Sequence, residues 1–521
     1  MPIKSSNLDE IISSIQQLRS EDKPLYRRHL EELSSQLFHT LAQSPNQDAV
    51  MMTLLAAASC HHPLSRTLSR AFLNSSSPIV QLTAVQALAV LNTNEATTFL
   101  VDALRSDYPI VRLEAAWHIA QKKIPDAFSH LDALSYKLPA PLLSWMPELF
   151  AVEGSASSVH KLQQLLFSSE EQVIVETILA IGRHNISSFE DSITQYTSHS
   201  PATLEAIAFC LRNFDTAPSR NRLIELSHHQ ESCVRIQAAL SLSHLGDTSQ
   251  ISQIIDLANQ GNLFALFSLQ DIDGIIPNID IHSRTANTNL ALSLLAKRQI
   301  ECTSMLIDML DLPEDEVIGI SHSLGNSLSY LDLVQAATFP KEFWSTLYEQ
   351  SLRLKESVLS QTIELPEPAF LAIARTIFSS GRIELYPCLI QLLENQRSEE
   401  IIQLLKLEAT RVGMPYNRAF ATLALMNIGI ETDENSITSI IELAREKESQ
   451  PWRFPLPWMV SPTNPAPQQH EAATSRLYIE AIDTLAQRAS PSAIAILTEE
   501  LGKAPMHLKP CIVAALLQAT L

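Results

Sequence analysis

The stretch SPIVQLTAVQALAVL (residues 77–91) can be laid over YPIVRLEAAWHIAQK (residues 108–122) without a gap. Both carry Pro-Ile-Val, which ends at Val80 and Val111, 31 residues apart. Stepping by about the same interval meets Val50 before them, then Leu142, Val173, Thr203 or Leu204, Val234 and Phe264 after them. Counted from each anchor, small or apolar residues fall at +4, +5 and +8, as in Ala84, Val85 and Leu88, in Ala115, Ala116 and Ile119, and in Ala238, Ala239 and Leu242. This is the 3.6-residue stripe of a helix with one buried face. A polar break follows, and a second amphipathic segment begins, such as TTFLVDAL from Thr97 or ISQIIDLA from Ile251. The unit is helix–turn–helix. One such pair cannot bury its own apolar face, so pairs must stack, and self-similarity at this period signals a solenoid.

Composition agrees. The chain has 521 residues, 45% of them hydrophobic and only 11 of them Gly, with none of the Asn-Gly hairpin turns of a β protein. The expected fold class is all-α, an α-solenoid of stacked antiparallel helix pairs with a repeat near 30 residues. The expected domains are capping helices at 1–45, repeats at 46–270, an irregular break at 271–287, degenerate helical repeats at 288–450, a Pro/Trp-rich inter-helix insertion at 451–470, and C-terminal helical repeats with a cap at 471–521.

The units PIVRLEAAWHIA and SCVRIQAALSLSHLGD resemble the HEAT repeat, in its short phycobilisome-lyase-like variety, and the resemblance covers about residues 46–270. It implies stacked helix pairs with the Val-Arg helix as the inner one. It also raises the enzymes that use such repeats. Di-iron hydroxylases of this class resemble repeated His-Glu pairs, whereas His-Glu occurs here once, at His470-Glu471. DNA glycosylases with HEAT-like folds use a basic groove, and this chain has a net charge of −20. Such a field repels phosphate backbones, and no basic stripe offsets it, so no nucleic-acid partner is expected. A lyase or chaperone-type protein that handles a cofactor or a modified protein stands as the alternative reading.

Catalytic signatures are missing. No Gly-rich phosphate loop, GxSxG elbow or HExxH occurs. Cys60-His61-His62 is read as a core thiol beside two surface imidazoles, because adjacent helix residues point about 100° apart. His228-His229 with Cys233 lacks a second donor pair at metal-ligand spacing. No catalytic residue, metal or cofactor is therefore assigned. Six scattered cysteines without a CxxC pair, no apolar run of about 18 residues and no signal-like N-terminus point to a cytoplasmic protein with reduced thiols and no membrane span. The Val-Arg units and the lack of eukaryotic sorting signals lean towards a bacterial source.

The implied inner helix predicts a groove. Positions +2, +3 and +6 lie roughly opposite the core stripe and should line the concave groove. Position +3 reads Thr53, Thr83, Glu114, Trp145, Glu176, Ala206, Gln237 and Phe267, and position +6 reads Ala56, Gln86, Trp117, Glu148, Leu179, Phe209, Leu240 and Gln270. Neither row holds Lys or Arg. The expected function is a non-enzymatic protein–protein scaffold that takes a basic or amphipathic segment of another protein. Glu114, Trp117, Trp145, Glu148, Glu176 and Phe209 are the expected groove residues, with aromatics as anchors and carboxylates steering cations. The insertion PWRFPLPWMVSPTNPAPQQH (451–470) adds Trp452 and Trp458, expected to dock on an apolar groove or to meet a partner, while its second half stays open.

Overall fold

The structure is a computed structural model that describes residues 5–18, 23–91, 93–260, scattered positions from 262 to 268, 355–356, 359–360, 362–430, 433–445 and 469–520. The break at 271–287, most of the degenerate repeats before 355, and the insertion as far as residue 468 lie outside the described residues. Among those described there is helix and no strand.

The helices are α1 (Ser5–Gln16), α2 (Lys23–Ala42), α3 (Gln47–Ser59), α4 (Leu64–Phe72), α5 (Pro78–Val90), α6 (Asn94–Ala103), α7 (Pro109–Lys122) and α8 (Ala127–Ser135). Next come α9 (Met146–Glu153), α10 (Ala156–Leu165), α11 (Glu171–Arg183), α12 (Glu190–Thr194), α13 (Pro201–Leu211), α14 (Ala217–Leu226), α15 (Ser232–His244) and α16 (Ile251–Asn259). After the undescribed stretch follow α17 (Glu367–Ser380), α18 (Tyr386–Gln396), α19 (Glu399–Ala409), α20 (Pro415–Asn427), α21 (Asn435–Arg445), α22 (Gln469–Arg488), α23 (Pro491–Lys503) and α24 (Lys509–Ala519). The fold is an all-α solenoid of helix pairs.

Local signals explain the boundaries. Pro78, Pro109 and Pro201 open α5, α7 and α13, where a missing N–H costs nothing. Asn46, Thr93, Ser155, Ser200, Thr216, Ser398 and Ser490 cap helices by accepting backbone N–H groups. The weak anchor Leu142 does not open an α-helix. Ala140–Trp145 is a 3-10 segment, and α9 starts only at Met146. Pro139, Pro141 and Pro147 lack the donors that a continuous helix would need there.

The chain forms two compact units. The first combines residues 1–119 with the described residues from 377 onwards. In it, α20, α22, α24, α3 and α5 pack side by side as one layer, with α19, α21, α23, α2, α4 and α6 against them. Helices from the two ends of the sequence are thus neighbours: α1 packs on α23, and α2 and α3 pack on α24. The second unit comprises residues 120–376. There α9, α11, α13 and α15 pack in sequence as one layer, backed by α10, α12, α14 and α16.

The expected small core positions are buried. Ala84, Val85, Ala115, Ala116, Ala238 and Ala239 are each 0% exposed. Alanine there lets neighbouring backbones approach within the 8–10 Å range of packed helices. Enlarging one should therefore cost stability through overpacking. Ala239→Leu is expected to lower unfolding free energy by about 1–3 kcal/mol, read from the urea midpoint at unchanged m-value.

The first unit also holds carboxyls that resist ionisation. Burial is the main cause pushing Glu394 up to about 7, and the Glu480 carboxylate adds to it, while the Asn427 amide and Arg397 pull it back. The folded chain therefore binds this proton at pH values where an unfolded Glu, with its ordinary value near 4.5, has released it. Stability should fall as pH rises from about 4.5 towards 7 and level off above. Glu394→Gln should flatten that slope in urea titrations run across the pH series.

Candidate protein-docking face

In the second unit one stripe of each first-layer helix is half-buried. On α11 it is Gln172, Glu176 and Leu179, with the exposed Arg183 one turn further; on α13 it is Ala202, Glu205, Phe209 and Arg212. The spacing of three or four residues is one helix face. On α9 the stripe holds Glu148 and Val152, with Trp145 just before the helix, and on α15 it holds Cys233, Gln237 and Leu240.

Glu148, Glu176 and Phe209 come together on this face. Arg183 bridges the carboxylates: its Nη2 lies 2.9 Å from Glu148 Oε2 and 3.4 Å from Glu176 Oε2. The His184 Nε2 lies 2.7 Å from Glu148 Oε1. Burial alone would raise the Glu148 carboxyl, but His184 and Arg183 together hold it below its ordinary value. Glu176 is raised, because burial outweighs its contacts with Arg183 and Gln172.

Two features of this cluster differ from expectation. The face carries arginines, although neither row holds one. Arg183 stands seven residues after Glu176, two turns along the same face, and counting only +3 and +6 stops short of it. The carboxylate row also continues at Glu205 rather than at Ala206, which is 2% exposed. Thr203 keeps the core register, with Ile207, Ala208 and Leu211 buried at +4, +5 and +8, and Glu205 is the half-buried residue at +2. Burial raises the Glu205 carboxyl, and a hydrogen bond with Cys233 opposes the rise.

Phe209 is placed by Gly182. A Cβ at Gly182 would lie 3.0 Å from the Cys210 Cα and 3.1 Å from the Phe209 Cδ1. The glycine lets α11 and α13 close up, and the ring lies along the gap. Arg212 stacks its guanidinium 4.0 Å from the ring centroid. Asn213 ties the helices further, donating from Nδ2 to the Gly182 carbonyl at 2.6 Å.

The other expected residues separate. Glu114 lines no open face: it is 0% exposed, with Oε1 3.1 Å from His118 Nε2. Thr53 and Thr83 at the same repeat position are buried too, and their hydroxyls donate to the carbonyls of Ala49 and Ile79. In the first unit the +3 row is thus covered at Thr53, Thr83 and Glu114. Trp117 is half-buried in that unit, and Trp145 is half-buried in the second. Trp452 and Trp458 lie outside the described residues.

The Cys60-His61-His62 reading needs correction. His61 is exposed, but His62 is 3% exposed and packs edge-on against Phe38. Its Nδ1 accepts the Leu64 N–H at 3.2 Å, which leaves Nε2 to donate towards Ser34 or Ser35. Burial lowers its pKa. Cys60 is half-buried, and burial pushes its thiol up to about 11. Among the described residues no three His, Cys, Asp or Glu side chains converge as metal ligands. Among the same residues no helix is long and apolar enough to cross a membrane.

Residues 34–134 match the family model described as HEAT repeats. No curated protein matches in sequence. Among solved structures, importin beta crystallised in a polyethylene glycol condition aligns with 99% of this chain and 83% of its own, at 13% identity and a TM-score of 0.33. Importin beta in an ammonium sulfate condition aligns with 98% and 79%, at 13% identity and a TM-score of 0.28. An engineered protein aligns with 81% and 98%, at 16% identity and a TM-score of 0.21.

Gly182→Ala should separate α11 from α13 and turn the Phe209 ring. The expected result is a loss of about 1–3 kcal/mol, with a lowered thermal midpoint. Gly182→Ser should cost at least as much.

Proposed function

We propose that this chain is a non-enzymatic interaction scaffold whose second unit docks a cation-bearing, amphipathic segment of another protein along the face of α9, α11 and α13. HEAT-like helix pairs suit this role, since stacking leaves one long side of a layer free for a partner. The observation that carries the reading is the row Glu148, Glu176 and Glu205 beside Phe209.

The three carboxylates are not equivalent. Glu148 and Glu176 already share Arg183, so a partner's cation gains little there without displacing it. Glu205 has no ion pair among the described residues, and Cys233 is its hydrogen-bonding neighbour. A half-buried carboxylate without a cation is where a Lys or Arg of a partner gains most. Phe209, one turn along the same helix, offers apolar area next to it. Arg183 and Arg212 discourage a purely polybasic ligand and select one with a single well-placed cation.

The test uses synthetic peptides of matched length: amphipathic with one central Arg, amphipathic with a central Glu, and polybasic. The first should bind best. Glu205→Lys should weaken it about tenfold, or ~1.4 kcal/mol, while Glu148→Gln has a smaller effect. Equal affinity for all three peptides, or indifference to Glu205→Lys, would overturn the reading. Because burial raises the Glu205 carboxyl, affinity for the Arg peptide should start to fall at a higher pH than an ordinary Glu would give.

A further inference from the structure

Within the first unit, one step of the stack differs from the others. Helices α3 and α5 are joined through α4 by short turns, as are α22 and α24 through α23. The step from α24 to α3, with α1 on α23, has no such connection, although it packs in the same manner. The Gln16 Nε2 donates to the Thr498 carbonyl at 3.2 Å across 482 positions, and the Arg27 Nη1 to the Thr520 carbonyl at 3.3 Å across 493. Apolar side chains dominate both sides. Ile15 and Leu30 from the early helices are 0% exposed, as are Leu497 and Ile512 from the late ones.

We propose that this junction also closes between two copies of the chain, with α1–α3 of one copy seated on α23 and α24 of the other. The occupant is a second copy because each face already fits the other in cis, residue for residue. Nothing in the interface distinguishes a partner helix of the same chain from that of a neighbour. Closure in cis draws on an effective concentration that falls as the separating chain lengthens. Each neighbouring step spans a few tens of residues, whereas this one spans nearly the whole sequence. Opening would bare apolar surface on both sides, so an open chain is driven to pair. Exchange of identical elements is the low-cost way to do so. The result is a dimer that preserves every contact of the closed monomer.

The test uses two full-length variants, Gln16→Cys and Gly502→Cys, at positions where a side chain on Gly502 would meet the Gln16 amide. The two are mixed at high concentration, taken briefly through mild urea, returned to buffer and oxidised. A species of twice the chain mass, with peptide mapping that joins positions 16 and 502, is expected. The double variant oxidised at high dilution should instead link within one chain. Light scattering on the unsubstituted protein should show the mean mass rising from 57.8 kDa towards twice that value with concentration. A mass fixed at one chain at every concentration, before and after the urea step, would overturn the proposal. So would a dimer whose cross-link joins other positions.

Discussion

Everything in this fold depends on the inability of one helix pair to bury its own apolar face. Each pair leaves a stripe of Ala, Val, Leu and Ile that only another pair can cover. The stripe works because its centre is small. Alanines such as Ala115, Ala116, Ala238 and Ala239 are wholly buried and let backbones approach. Gly182 carries the same logic to its limit, with α13 so near that no side chain fits between. Close approach then fixes where the larger residues can go, and Phe209 lies at the face for that reason.

Apolar stacking alone would leave the order and register of the pairs weakly specified, and buried polar groups supply part of the specificity. In the first unit the Tyr386 hydroxyl lies 2.7 Å from the Asn417 Oδ1, whose amide donates to the Phe378 carbonyl at 3.0 Å and to Glu408 at 2.7 Å. Arg411 neutralises Glu408, so the buried carboxylate has a cation. A second network joins α21, α22 and α23, where Arg445 forks onto Glu500 and the Tyr478 hydroxyl donates to the same carboxylate. Each network links at least three helices, and a slipped pairing would leave its charges unsatisfied.

The docking face shows how far residue periodicity reaches. The half-buried exposure of Glu148, Glu176, Leu179 and Phe209 follows from counting along a helix, since they stand opposite the core stripe. Arg183 belongs to the same face and needed only one more turn of counting beyond Leu179. Glu205 stands at +2 from Thr203, where the burial of Ala206 at +3 leaves it as the carboxylate of that helix face. Glu114 sits at an equivalent repeat position and is nevertheless buried, with the His118 ring one turn along the helix against its carboxylate.

The sequence by itself determined the helix pairs, their period near 30 residues, the buried alanine stripe and the all-α class. These follow from local periodicity, which is written into every unit. Only the tertiary structure decided that carboxylates thought free are bridged by Arg183, that His62 is a core residue, and that the first helices of the chain stack on the last. The Arg183–Glu148, His62–Ser34 and Arg27–Thr520 contacts join residues from 28 to nearly 500 positions apart, and no pattern within a single unit encodes which other unit it will meet.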